Sequence, residues 1–230
     1  MGIVIIPARG GSKRIPRKNI RLFHGRPMIT YAIECAQKSG LFSRIIVSTE
    51  DEEIAQIAKS YGAEVPFMRS NAAADDFATT SDVLIEVLNE LEQSASQPTW
   101  ACCLYPTTPL LSPEDLQSGY QAFVKGDKDV VLAAVAFDFP VQRAFEIDKE
   151  DNVKLREPQF ISNRSQDLTP AYHDAGAFYF FECSRLKETG SLWGGKVGAC
   201  TIPSTRIQDI DTEADWELAA YKYQQLHQHE

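Results

Sequence analysis

Four apolar residues, Ile3-Val4-Ile5-Ile6, run straight into the segment Pro7 to Asn19, which reads Pro-Ala-Arg-Gly-Gly-Ser-Lys-Arg-Ile-Pro-Arg-Lys-Asn. The apolar run reads as a buried strand. A strand that opens into a loop rich in Gly, Ser and cations is a place to hold phosphate. Gly10 and Gly11 let backbone N–H groups turn toward an anion without a Cβ in the way. Ser12 adds a hydroxyl donor. Arg9, Lys13, Arg17 and Lys18 supply positive charge, the arginines with a fork suited to bidentate contact.

The charge distribution sharpens this reading. The chain has 23 Lys and Arg against 32 Asp and Glu, a net charge of −9. Residues 1 to 33 contain no Asp or Glu, yet hold Arg9, Lys13, Arg14, Arg17, Lys18, Arg21 and Arg26. The remainder is therefore strongly acidic. One basic loop on an acidic protein suits a small polyanion better than a nucleic-acid backbone, and no nucleic-acid partner is expected. A plainer reading is a solvated basic stretch or a localisation tag. The Gly, Pro and apolar residues among the cations, in a strand-loop-helix setting, argue against it.

At 230 residues the chain fits a single α/β domain. Such a length buries roughly 70% of its unfolded surface without staples. No apolar run is long enough to cross a bilayer and no secretory leader is evident, so no membrane partner is expected. Five cysteines, Cys35, Cys102, Cys103, Cys183 and Cys200, show no paired spacing and imply reduced thiols in a cytoplasmic protein. Cys102 and Cys103 lie inside the apolar run Trp100–Leu104 and read as core. His227 and His229 fall in a polar tail expected to be disordered.

Strand-like runs at Ile3–Ile6, Arg44–Ser48, Trp100–Leu104 and Asp129–Phe137 alternate with helical periods. Ile29, Ala32, Ile33 and Ala36 follow i, i+3, i+4, i+7, as do Ile54, Ile57, Ala58 and Tyr61. The second of these helices begins at Ser48-Thr49 with an acidic first turn, Glu50 to Glu53. Thr79-x-x-Asp82 resembles a capping box before Val83–Leu91. Ser112-Pro113-Glu114-Asp115 reads as N-cap, N1 proline and acidic turn. The series predicts a Rossmann-like, mostly parallel sheet with helices on both faces. From Asp138 the pattern breaks: Phe139 to Asp174 is polar, carries Pro140, Pro158 and Pro170, and reads as an insertion leaving the sheet. Strand character returns at Ala177–Phe181 and Lys196–Ile202, and Thr212-x-x-Asp215 starts a last helix ending near Gln225.

The set Ile-Pro-Ala-Arg-Gly-Gly-Ser-Lys-x-x-x-x-Lys-Asn, Gly25-x-Pro27-Met28-Ile29 and Ile46-Val47-Ser48-Thr49 resembles the CMP-sialic acid synthetases, which transfer CMP from CTP onto a nonulosonic acid. The likeness continues through Gly62-Ala63-Glu64-Val65-Pro66-Phe67-x-Arg69, Asp76-x-x-Thr79-Thr80, Tyr105-Pro106-Thr107-Thr108-Pro109-Leu110 and Asp209-Ile210-Asp211-Thr212. It spans nearly the whole chain and implies the nucleotide-diphospho-sugar transferase type of α/β fold. It also implies roles. Ala8, Arg9, Gly10, Ser12, Lys13, Lys18 and Asn19 would hold CTP, with Arg69, Thr79 and Thr80 closing the cytidine side. Asp209 and Asp211 would hold Mg2+. Arg9, Lys18 and Asp211 would carry the catalysis.

The physical demand of that reaction agrees. A sugar-acid hydroxyl must reach the α-phosphorus of a triphosphate, and both substrates are anions. A like-charge pair at 4 Å costs about 4 kcal/mol at an effective dielectric of 20. Cations from Arg9, Lys13, Lys18 and magnesium would offset it and stabilise the departing pyrophosphate. Asp-x-Asp in an extended segment puts both carboxylates on one side. Plainer readings stand beside these. Asp211 or Thr212 caps the last helix, Asp76, Thr79 and Thr80 form a loop and cap, and Arg69 makes a surface salt bridge.

Departures from the N-acetylneuraminate pattern bear on the sugar. Tyr105 stands where those enzymes usually carry Gln, and Leu111 where they carry Arg. Pro170-Ala171-Tyr172-His173-Asp174-Ala175-Gly176-Ala177-Phe178-Tyr179, Asn163–Leu168 and Asp215-Trp216 resemble the pseudaminic acid cytidylyltransferase branch, whose product serves surface glycans and flagellin. Tyr105, Pro106, Thr107, Thr108, His173, Asp174 and Tyr179 would then face the sugar acid. His173 also reads as an ordinary loop histidine. By the same resemblance, residues 139–172 would form a homodimerisation arm, with Phe139, Val141, Phe145 and Phe160 in the interface. The alternatives are the same reaction on N-acetylneuraminate or legionaminate, or a non-catalytic nucleotide-binding module.

Overall fold

The computed structural model describes residues 2–70, 73, 78–93 and 97–228. Asp76, of the Asp-x-x-Thr-Thr motif, and His229 lie outside them. Strand β1 (Gly2–Pro7) is followed by a short hairpin, β2 (Leu22–Phe23) and β3 (Arg26–Pro27). Then come α1 (Ile29–Ser39), β4 (Phe42–Ser48), α2 (Glu52–Ser60), α3 (Thr80–Gln93), β5 (Trp100–Leu104), α4 (Pro113–Lys125) and β6 (Val130–Ala136). A second hairpin, β7 (Phe145–Ile147) and β8 (Val153–Leu155), precedes β9 (Tyr172–Glu182), α5 (Cys183–Thr189), β10 (Val197–Thr201) and α6 (Glu213–Leu226).

The main sheet runs β10-β6-β9-β5-β1-β4. β1 pairs parallel with both β4 and β5, and β10 parallel with β6. Only β9 runs against its neighbours, between β5 and β6. Side-chain alternation along β1 explains why the sheet needs helices on both faces. Val4 and Ile6 join α1, α2 and α4 in one core, while Ile3 and Ile5 join α3 and α5 in the other. The fold is thus the Rossmann-like α/β arrangement with one antiparallel strand. No described helix is long and apolar enough to cross a membrane.

Local chemistry sets the helix ends. Ser112 and Thr212 each form a reciprocal capping box, with Asp115 and Asp215. Thr79 accepts from the Asp82 N–H while the Asp82 carboxylate accepts from the Thr79 N–H. The cap of α2 is Asp51, which accepts from the N–H groups of Glu53 and Ile54, rather than Ser48 or Thr49. Cys35, Cys102, Cys103 and Cys183 are buried free thiols, and Cys200 is a partly buried one. Burial pushes the Cys35 thiol up to about 12.

Two sequence expectations need correction. The insertion ends earlier than Asp174, because β9 begins at Tyr172 and pairs His173 with Val135 and Asp174 with Ala134. His227 is ordered: its N–H bonds the Tyr223 and Gln224 carbonyls, and its ring stacks 4.1 Å from that of Tyr223.

A third, smaller core fixes the site. Ile15, Phe23, Met28 and Tyr31 pack against Ile210, Trp216 and Ala219. The loop after β1 and the segment before α6 are thereby clamped together, although some 190 residues separate them. Arg21 reinforces the clamp with paired bonds to Glu213, both 2.7 Å, and lies over the Trp216 ring at 4.4 Å.

Candidate active site

Because β1, β4 and β5 are parallel, their C-terminal ends share one edge of the sheet. A cleft of about 620 Å³ opens there, at the position where open α/β sheets hold ligands. One wall is the loop after β1. Ala8 is fully buried and its N–H donates to the Ser48 carbonyl at 2.9 Å. Ile15 is fully buried in the third core, and Asn19 donates to the Arg9 carbonyl at 2.9 Å. These inward anchors leave Arg9, Ser12, Lys13, Arg14 and Lys18 lining the cleft.

The adjoining wall is the segment before α6. Asp209 and Asp211 line the cleft while Ile210, between them, is fully buried. Thr212 supplies the helix cap, so neither carboxylate is needed for that task. Lys18 spans the two walls: its ammonium donates to the Ile210 carbonyl and lies 3.5 Å from Asp211 Oδ1. Burial and the neighbouring Asp211 carboxylate raise the Asp209 carboxyl above the usual range, with Lys18 and Arg14 acting in the opposite sense. Two crowded carboxylates on one face are a donor set that fits a hard cation. Among the described residues no group of three or more His, Cys, Asp or Glu could hold a metal. A cation held by this pair would fit the magnesium pattern of few carboxylates completed by phosphate and water.

The remaining walls come from β4, α3 and β5. Arg69 is nearly buried. Its guanidinium donates to the carbonyl and, at 3.1 Å, to the hydroxyl of Ser48, and Nη1 lies 3.7 Å from Glu50. Thr80 bonds the Tyr105 hydroxyl at 2.9 Å, and both face the cleft with Thr79, Pro106 and Thr107. Burial raises the Tyr105 phenol to about 12, which keeps it a neutral hydroxyl.

Several expected residues are placed elsewhere. The Ala8 side chain belongs to the core. The Gly10 N–H donates to Glu50 Oε1 at 2.6 Å rather than opening to the cleft. A Cβ at Gly10 would lie 2.5 Å from Asp51 Oδ2, so a side chain there would push that carboxylate aside. Arg17 adopts φ 56° and turns away to Asp51 and Glu53, so its charge is already paired. Thr108 folds back to donate to the Tyr105 carbonyl at 2.9 Å. Tyr179 and Asp174 lie behind the wall: the Tyr179 hydroxyl donates to Asp174, and its ring meets Tyr105 edge-on at 5.8 Å. His173 is exposed beside Phe137, away from the cleft lining. Lining residues that the sequence reading did not assign to the site include Arg14, Val83 and Gly176. For Arg14 the available signal was its neighbour Ile15, an apolar residue in a cationic run that had to point inward.

A cation-lined cleft at the carboxyl edge of a parallel sheet, faced by two carboxylates, suits the binding of a nucleotide's phosphates. The chain belongs to the cytidylyltransferase family, which it matches over residues 3–184. It is 40% identical to the pseudaminic acid cytidylyltransferase of Campylobacter jejuni, over 98% of this chain and 97% of the relative. It is 31% identical to the CMP-N,N'-diacetyllegionaminic acid synthase of Legionella pneumophila, over 94% of this chain and 93% of the relative. The fold superposes on a CMP:2-keto-3-deoxy-manno-octonic acid synthetase complexed with CTP, with TM-score 0.72, 19% identity and coverage of 98% and 99% of the two chains.

Proposed function

We propose that this enzyme joins CMP from CTP to pseudaminic acid, giving CMP-pseudaminic acid and pyrophosphate. One observation carries the reading: the third core packs the cationic loop beside the Asp-x-Asp segment, so that both line one cleft. Greater identity to the pseudaminic acid enzyme than to the legionaminic one supports the sugar, as do Tyr105 and Leu111 at their positions.

Arg9, Ser12 and Lys13 bind the triphosphate, and Asn19 holds the loop backbone that presents them. Arg69, Thr79 and Thr80 bound the nucleoside side. Tyr105, Pro106 and Thr107 form the wall against the sugar acid, with Tyr179 and Asp174 orienting the Tyr105 ring from behind. The sugar-acid hydroxyl oxygen forms a bond to the α-phosphorus. The bond from that phosphorus to the pyrophosphate oxygen breaks, and the hydroxyl proton is released. Lys18 and Arg9 stabilise the charge gathered on the leaving group. Asp209 and Asp211 would hold magnesium, which when bound supplies further charge neutralisation.

The exposed apolar residues of the insertion support a homodimer with that arm at its interface. Free thiols throughout support a reducing, cytoplasmic setting.

The test is pyrophosphate release from CTP with purified pseudaminic, legionaminic and N-acetylneuraminic acids. Release that is fastest with pseudaminic acid is expected. Faster release with either of the others would reject the assigned sugar, and release with none would reject the reaction.

A further inference from the structure

Arg14 has no role in the triphosphate binding assigned above, yet it lines the same cleft and its Nη2 lies 2.9 Å from Asp211 Oδ1. Lys18 Nζ approaches the same oxygen at 3.5 Å. One carboxylate oxygen therefore carries two side-chain cations on the wall where a divalent ion would sit. The contact is built into the fold. Ile15, next to Arg14 in sequence, and Ile210, next to Asp211, are both fully buried in the third core, which packs the two backbone segments side by side.

The two cations differ in how they are held. Lys18 is largely covered and also bonds the Ile210 carbonyl, so it is fixed. The Arg14 side chain is 67% exposed, and its pairing with Asp211 is of the weak, solvent-screened kind. It can leave if another cation takes its place.

We propose that Arg14 is the resident counter-ion of Asp211 in the CTP-free protein and weakens that carboxylate's hold on a free divalent cation. This rests on the reading of Asp209 and Asp211 as the metal carboxylates. A free ion arriving alone must displace a guanidinium and gains only two carboxylates. An ion arriving with CTP brings phosphate oxygens as ligands. The same phosphates give the displaced guanidinium an anion to pair with.

Manganese serves as the probe, with free ion counted by electron paramagnetic resonance on the full chain, without sugar acid. Without CTP, the wild-type protein is expected to bind Mn2+ no better than Asp211→Asn. Arg14→Ala is expected to bind it about two- to fivefold more tightly, the range that losing an exposed ion pair allows. Arg14→Gln should do the same, and adding Asp211→Asn to Arg14→Ala should abolish the gain. Circular dichroism melts establish that each variant is folded. Wild-type-like binding in both Arg14 variants would overturn the proposal, as would a gain that survives Asp211→Asn. Tight binding by the CTP-free wild type would overturn it too. The metal reading itself fails by a different result, namely Mn2+ uptake with CTP that is the same in wild type and Asp211→Asn.

Discussion

The loop after β1 and the insertion between β6 and β9 are both irregular, both long, and built on opposite principles. The loop buries Ile15 and Asn19 and sends Arg9, Lys13, Arg14 and Lys18 into the cleft. The insertion does the reverse: Phe139 is 82% exposed, Ile147 62% and Val153 59%. A segment anchored by its own apolar residues is preorganised for a ligand before the ligand comes. A segment that displays them has its packing still to make, with another surface. The first fits the site and the second the proposed interface.

The largest effect should come from the loop's charge. Lys18→Ala should lower kcat/KM on the order of 1000-fold, about 4 kcal/mol of transition-state stabilisation. Arg17→Ala, one residue earlier, should change it far less, because Arg17 faces Asp51 and Glu53 instead of the cleft. Steady-state pyrophosphate release checks both. Equal losses would mean that the division of labour within the loop is wrong.

Next comes the anchor. Ile15→Ala should cost about 2–4 kcal/mol of stability by opening a cavity among Phe23, Tyr31, Ile210 and Trp216. It should also lower kcat/KM, since both walls of the cleft rest on that core. Denaturant unfolding and kinetics on one preparation test the pair of outcomes. Lost stability with unaltered turnover would separate the third core from catalysis.

The insertion should respond in the other direction. Phe139→Ser with Ile147→Ser should weaken self-association on the order of 100-fold, about 2.7 kcal/mol. The melting temperature of the dilute monomer should hardly move. Sedimentation equilibrium reads the first and calorimetry the second. A wild-type protein that stays monomeric at micromolar concentration would remove the interface reading altogether.

The difference between these regions also governs what the sequence discloses. β1, β5 and β6 are continuous apolar runs because both their faces are covered, and each was legible as such, whereas the edge strand β4 is apolar in this way only over residues 45–47. The first half of β9 was not. His173, Asp174 and Gly176 interrupt its apolar pattern, and its pairing with β6 slips between Leu132 and Ala134, where Gly176 sits at φ 58°. α5 is a single short helix with two buried side chains, Cys183 and Leu186, too few to show a period. In the site, the Asp-x-Asp pair was legible because Ile210 between the carboxylates is apolar. That Arg17 leaves the cleft was not legible, since it depends on the backbone turn at Arg17 and the acids it meets. The displacement of His173, Asp174 and Tyr179 from the cleft has the same origin: a kinked strand carries neighbours in sequence to different faces.

The smallest effect probes that turn. The Arg17 guanidinium, aided by the N–H groups of Ile54 and Glu53 and opposed by partial burial, holds the Asp51 carboxyl below the usual range. A carboxyl depressed in the folded state releases its proton more readily there than in the unfolded chain. Its stabilisation is complete above the unfolded value, near 3.8, and drains away as pH falls through the lower folded value. Asp51→Asn keeps a competent helix cap and removes only the charge. At pH 7 it should lower stability by about 0.5–1 kcal/mol, since the Arg17 side of the pair is 40% exposed and screened. That corresponds to roughly 1–4 °C in melting temperature. The gap between variant and wild type should close as pH drops below 3.8, which thermal melts at stepped pH will show. A gap that persists undiminished in acid would mean that Asp51 acts through the cap alone, and that the ion pair does not hold the loop's turn.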